Sequence, residues 1–267
     1  MTKNSLLWKI TPPDGGPASY LFGTMHVRDL RAFGWLETAK RHIDACETFA
    51  TEFDFSDADE TALAEALRLP NGATLDTLLK PSVWKNLDFY CRKKLGCTAE
   101  IMRSQHPMAV MTALSTAFLT DESAHSLDEA LWHHARAVGK KTTGVETFAD
   151  QLETLRKIPL EQHLKSLTWL LKNYGRQKRR LKKMMGWYAS GDIRQLYQAA
   201  KKDAKGMRRV LLYERNKLMA GRFAEIAREH TLFCAVGAGH LAGGKGMLRL
   251  LKKAGFKVKP VQLDQAR

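Results

Sequence analysis

Tyr20-Leu21-Phe22-Gly23-Thr24-Met25-His26 is a short apolar run that stops in a turn of small residues and delivers a histidine. Far along the chain, Leu232-Phe233-Cys234-Ala235-Val236-Gly237-Ala238-Gly239-His240 does the same. Each reads as a strand, a turn, and a histidine where a helix begins. Glycine lets the backbone turn sharply and approach another group closely. A histidine held there serves as a metal ligand or proton carrier. Two such elements predict two halves of one fold delivering matched imidazoles to a single place.

Outward from the first element, Leu7-Trp8-Lys9-Ile10 and 19–22 read as a hairpin across the turn-rich Pro12-Pro13-Asp14-Gly15-Gly16. Further strands are expected at 47–53 and 141–146, and at 256–261, where Pro260 interrupts. Helical patterns occupy 35–46, 56–69 (capped by Ser56), 81–95, 107–119, 127–138, 160–188, 207–230 and 245–253. In the span 160–188, Gly175 and Gly186 are the weak points. Gly191-Asp192 starts one more helix. The expected architecture is α/β, a single domain over residues 1–267. Its central sheet is built from both chain ends, the middle is mostly helical, and a helical insertion or lid lies at about 154–222.

At 267 residues with 44% apolar side chains, the chain can bury a substantial core. It has no run of about 18 apolar residues, which disfavours a transmembrane span. No apolar signal segment precedes the first strand, so the expectation is a cytoplasmic protein, unless an export sequence is absent from this chain. Cys46, Cys91, Cys97 and Cys234 form no CxxC pair and read as reduced, mainly buried thiols.

Lys and Arg number 43 against 28 acids, a formal charge of +15. Such an excess attracts polyanions without defining one partner. Lys172, Arg176, Lys178, Arg179, Arg180, Lys182 and Lys183 concentrate it in a stretch without an acid. Arg176, Arg179, Arg180 and Lys183 share one helix face, opposite Leu167, Leu170, Leu171, Tyr174, Leu181 and Met185. The segment 172–183 is either a solvated face or a contact for an acidic partner; nucleic acid is disfavoured but open.

His26, Glu52, Glu146 and His240 all stand at expected strand ends. In an open α/β sheet, sites form beyond the carboxyl ends of parallel strands. Two imidazoles with one or two carboxylates suit Mn, Co, Fe or Zn, and a carboxylate not ligating metal suits a general base. Taken singly, each residue also reads as a helix cap or an ordinary surface acid. Arg215 falls on the apolar stripe of Leu212, Met219, Phe223 and Ile226 and requires a partner there. It reads as a structural ion pair, or as a group holding a site carboxylate or an oxyanion. Glu214 and Asn216 adjoin it in the same possible network. No HExxH, P-loop, GxSxG or dinucleotide fingerprint is present.

These motifs resemble the TraB/GumN family, related to the Tiki metalloproteases. The resemblance rests on 20–26, Thr51-Glu52-Phe53-Asp54, Gly144-Val145-Glu146-Thr147, Glu214-Arg215-Asn216 and Val236-Gly237-Ala238-Gly239-His240-Leu241, with Gly243 and Gly246 beyond. It implies a Tiki-like fold of the erythromycin-esterase-like superfamily. It also implies divalent-metal-dependent peptide hydrolysis, with His26 and His240 as the GxxH histidines, Glu52 as the first-half acid, and Glu146 and Arg215 at the remaining motif positions. Shared fold does not settle reaction.

The leading expectation is therefore a metal-dependent hydrolase, a peptidase acting on a peptide or small protein. His26, Glu52 and His240 would bind metal, and Glu52, Glu146 and Arg215 would serve the chemistry. The alternative is a non-catalytic peptide-, haem- or polyanion-binding regulator, and a third reading is a small-molecule esterase.

Overall fold

The Pro12–Gly16 turn closes a hairpin in which β1 (Leu7–Thr11) runs antiparallel to β2 (Ser19–Thr24), with Leu7 opposite Phe22 and Ile10 opposite Ser19. This computed structural model describes residues 4–118 and 123–263. It adds β3 (Thr48–Thr51), β4 (Lys141–Gly144), β5 (Leu232–Gly237) and β6 (Lys257–Val261). The protein is α/β, with one mixed six-stranded sheet in the order β4-β3-β5-β2-β1-β6. β4, β3, β5 and β2 are mutually parallel, and β1 is antiparallel to both its neighbours. Parallel strands are covered on both faces, and β5 is buried from Leu232 to Val236.

By packing, the described residues divide into two compact units: 4–57, 123–151 and 184–263, and then 58–118 and 152–183. The first holds the sheet. Phe22, Phe49 and Phe233 line its centre, with Phe49 stacked on Phe233 at 6.1 Å between ring centroids. Ile43, Leu131, Phe223 and Leu251 pack on this core from helices. The fully buried Tyr188 donates its hydroxyl to the Gly23 carbonyl at 2.9 Å, fixing the end of β2.

The second unit is helical, with a core that includes Leu75, Leu87, Val110, Leu114 and Leu167. His106 caps the helix Pro107–Thr116, its Nδ1 accepting from the Met108 N–H at 3.2 Å. The expected end of that helix, Leu119, lies outside the described residues. His163 meets the His106 ring edge-on at 4.5 Å, and its Nε2 is buried without a hydrogen-bond partner. Burial, then the neighbouring His163, pushes the His106 pKa down to about 4. A histidine with a depressed folded pKa contributes stability above its unfolded value of about 6.5, and this is lost as pH falls toward the folded value. Between pH 7 and pH 5 the unit is expected to lose on the order of 1–2 kcal/mol. Hydrogen exchange across Pro107–Thr116 reads this loss, and His106→Asn, which keeps a capping acceptor, flattens the dependence.

Several local expectations change. Ser56 does not cap a helix, because its N–H and hydroxyl both bond to Asp54 Oδ1, at 3.0 and 2.8 Å. The cap is Asp59, which accepts from Ala62 and opens Glu60–Ala66. The span 160–188 breaks at Asn173 rather than at Gly175, separating Leu160–Lys172 from Tyr174–Ala189. There the Asn173 amide side chain takes the Trp169 carbonyl at 2.9 Å, competing with the helix ladder. β6 continues through Pro260, opposite Trp8, because it is an edge strand and needs no further donor there. All four cysteines are free; Cys46, Cys91 and Cys234 are buried. Among the described residues no helix is long and apolar enough to cross a membrane.

Candidate functional site

The four parallel strands end on the same side of the sheet. His26 follows β2 by two residues, Glu52 follows β3 directly, Glu146 follows β4 by two, and His240 closes the turn Ala238–His240 after β5. Backbone pairing continues past β3, with Glu146 N–H donating to the Glu52 carbonyl at 2.6 Å. This juxtaposition requires Gly144. A Cβ there would collide with the Glu146 carbonyl and stand 2.8 Å from Phe53 Cα and 2.9 Å from Asp54 N. Backbone cannot yield as a side-chain tip does. Gly144→Ala is therefore expected to cost about 3 kcal/mol, read by urea unfolding.

Arg215 ties the two glutamates together. A wide helical turn, Arg209–Glu214, precedes it, and the regular helix Arg215–Glu229 begins with it. Its Nε donates to Glu146 Oε1 at 2.9 Å and its Nη2 to Glu146 Oε2 at 2.5 Å, a two-pronged contact. Nη2 also donates to Glu52 Oε2 at 2.6 Å. Glu52 Oε1 accepts from the Gly237 N–H at 2.9 Å. Burial opposes ionisation of Glu52. The Arg215 charge and these hydrogen bonds outweigh it, bringing its pKa down to about 2. Glu146 is raised, because its burial, with the neighbouring Glu52 charge, outweighs the same guanidinium. One cation thus serves two carboxylates, and the network carries an excess of negative charge whenever both are ionised.

His240 stands beside this network, Nε2 3.9 Å from Glu52 Oε1. The fully buried Asn216 defines its tautomer. Asn216 Nδ2 donates to the Lys245 carbonyl at 2.7 Å, so its Oδ1 faces His240 Nδ1 at 2.6 Å. A carbonyl oxygen only accepts, so Nδ1 carries the proton and Nε2 keeps its lone pair. Burial pushes the His240 pKa down to about 4, so the ring is neutral at neutral pH.

A cavity of about 220 Å³ opens over Glu52 and Gly237, walled by Phe53 and Phe55. His26 lies at its mouth, its side chain 73% exposed, with Nδ1 3.6 Å from Asp128 Oδ2. The Asp128 carboxylate raises the His26 pKa. Asp128 Oδ1 accepts from the Thr24 hydroxyl at 2.5 Å, while Oδ2 is buried and has no hydrogen-bond partner. Glu52, Glu146 and Arg215 thus form one network with the neutral His240 ring beside it, and His26 shares the cavity with Glu52 from its rim. Glu146 does not line the cavity. Among the described residues no three His, Cys, Asp or Glu side chains gather closely enough to hold a metal ion.

Sequence reasoning missed Asp128 and gave Asn216 only a neighbour's role. Asp128 sits in the first turn of Leu127–Ala137, behind the capping box of Ser126 and Glu129. An acid there is ordinary helix chemistry, and no local signal separates it from its neighbours. His42, His133, His134 and His230 do not line this cavity.

The TraB/PrgY/gumN family model matches residues 6–260. Metalloprotease TIKI2 of Danio rerio is 24% identical over 313 residues, covering 96% of this chain and 60% of the relative. Metalloprotease TIKI1 of Danio rerio is 24% identical over 98% of this chain and 64% of its own length. The Metalloprotease TIKI homolog of Nematostella vectensis is 24% identical over 98% of the chain and 68% of its own length. The chain therefore spans about 60% of the length of the first of these relatives. No solved structure matches significantly. With every motif quoted above inside the matched span, the chain belongs to the TraB/PrgY/gumN family.

Proposed function

We propose that this chain is a divalent-metal-dependent hydrolase of peptide bonds, with the site at the carboxyl ends of β2, β3 and β5. The observation that carries this reading is the Asn216–His240 pair beside Glu52. A metal-binding imidazole donates its other N–H to a fixed acceptor, and His240 does so while remaining neutral. The relatives named metalloproteases support the same reading. The donor types suit a divalent cation, an imidazole lone pair on His240 and a carboxylate on Glu52, while the described residues do not bring three such groups to bonding distance of one point.

His26, His240 and Glu52 would hold the ion, with Mn, Co, Fe and Zn all compatible with nitrogen and oxygen donors. When bound, such an ion polarises a carbonyl and lowers the pKa of water toward neutrality. Glu52 is too acidic for an efficient base near neutral pH and acts as a charged ligand. Asp128 orients His26 at the cavity mouth, its Oδ2 3.6 Å from Nδ1. Arg215, with its Nε and Nη2 spent on carboxylates, is a positioning residue, and Glu146 positions Arg215. A cavity of about 220 Å³ walled by Phe53 and Phe55 admits one apolar side chain, so the substrate is a peptide with an apolar residue beside the cleaved bond.

The test is turnover of a peptide library by the purified protein, with metal analysis and a chelator arm. His26→Ala and His240→Ala are expected to lower turnover at least a hundredfold with far-UV circular dichroism unchanged. Full activity of either variant in a metal-free preparation would overturn the reading.

A further inference from the structure

A second cavity, of about 420 Å³, lies elsewhere in the sheet-bearing unit, toward the β1–β6 edge. It takes Trp8 from β1, Val258 from β6, Leu248 from the helix Met247–Lys253, and Leu241 from the segment after His240. Trp8 Nε1 already donates to the Ser5 carbonyl at 3.1 Å, so the indole offers the cavity apolar surface only. At 7% exposure the indole leaves little surface on which a base could stack, which disfavours a nucleobase. The wall is held by main-chain bonds, Leu248 N–H to the Leu241 carbonyl at 3.2 Å and Gly246 N–H to the Gly243 carbonyl at 3.1 Å.

The rim is cationic. Arg194, Arg249 and Lys252 line it, and no carboxylate does. Arg249 and Lys252 are three residues apart on one helix and so project to the same side. Neither forms an ion pair with a described residue. Like charges gathered at an apolar mouth focus a positive field and raise the local concentration of anions. An apolar floor with a few charged groups at one end is the pattern of a small-molecule site, and the volume falls in the range of about 300–1,000 Å³ usual for one.

We propose that this cavity binds a single-chain amphipathic anion, an alkyl or acyl chain ended by a carboxylate or a phosphate. The chain lies on Trp8, Leu241, Leu248 and Val258, and the head meets Arg249 and Lys252, with Arg194 alongside. This site is independent of the hydrolase reading and stands whether or not peptides are cleaved.

Isothermal titration of the full chain with decanoate and with decyl phosphate tests it, with decanol, acetate and inorganic phosphate as controls. Saturable one-to-one binding of decanoate or decyl phosphate is expected, with decanol about tenfold weaker or more. The tighter of the two anions identifies the head group as a free carboxylate or a phosphate. Arg249→Glu with Lys252→Glu is expected to weaken binding at least about tenfold. The milder Arg249→Gln with Lys252→Gln gives the same direction if charge reversal impairs folding. Val258→Trp, which keeps every charge, is expected to abolish binding by filling the floor. Equal affinity for decanol and decanoate, indifference to loss of both cations, or indifference to Val258→Trp overturns the proposal.

Discussion

Arg215→Met is expected to destabilise the protein by about 3–5 kcal/mol at neutral pH, the usual penalty for stranding a buried charge. The variant keeps an unbranched apolar stem and removes the donors to Glu52 and Glu146. In the parent, burial raises the pKa of Glu52 and the guanidinium more than reverses that, down to about 2. Its ionised form therefore contributes stability above the unfolded carboxylate value of about 4.3, lost only as pH falls toward 2. In the variant both carboxyls are left with burial as the dominant influence, and their folded values rise above the unfolded one. A raised carboxylate destabilises as pH climbs through that window. The deficit of the variant is therefore largest near pH 7 and narrows toward about pH 5. Urea unfolding at a series of pH values reads this directly. A constant deficit across that range would show that the loss comes from packing and not from the stranded charges.

If His240 binds metal as proposed above, Asn216→Leu is expected to lower turnover and metal affinity about 10- to 100-fold, the range for removing the partner of a metal-binding imidazole. The side chain makes two contacts at once, donating to the Lys245 carbonyl and accepting from His240 Nδ1. Leucine satisfies neither. The orphaned buried groups cost about 1–3 kcal/mol, and the ring is free to place its proton on either nitrogen. Asn216→Asp separates the two effects. It keeps an acceptor for Nδ1–H while setting a carboxylate oxygen against the Lys245 carbonyl, so it costs stability yet retains more metal affinity than the leucine variant. If both variants match the parent in metal affinity measured by competition, His240 is not held as a ligand.

The fold was legible to the extent that local pattern dictates it. The apolar runs ending in glycine turns marked β2 and β5, and the Pro12–Gly16 segment marked the hairpin. Strand order was not written locally. That β6 sits at an edge and tolerates Pro260 follows from pairing between residues far apart. The break at Asn173 was hidden because glycine, the expected weak point, loses to a side chain that captures a carbonyl. At the site, a guanidinium on an apolar stripe announced that Arg215 needed partners, but not that two acids would share it. Asp128 and the working role of Asn216 depend on which helix passes over which turn, and no spacing rule encodes that.

The place of β5 between β2 and β3 also bears on synthesis. Residues 232–237 leave the ribosome long after both strands they join. Until then β2 and β3 have open hydrogen-bonding edges toward the missing strand, and open edges invite pairing with other chains. Loop closure of that span makes sheet assembly slow relative to helix formation. Nascent chains halted before Leu232 should be aggregation-prone chaperone clients, whereas chains that have released Gly237 can zip the sheet shut from its middle.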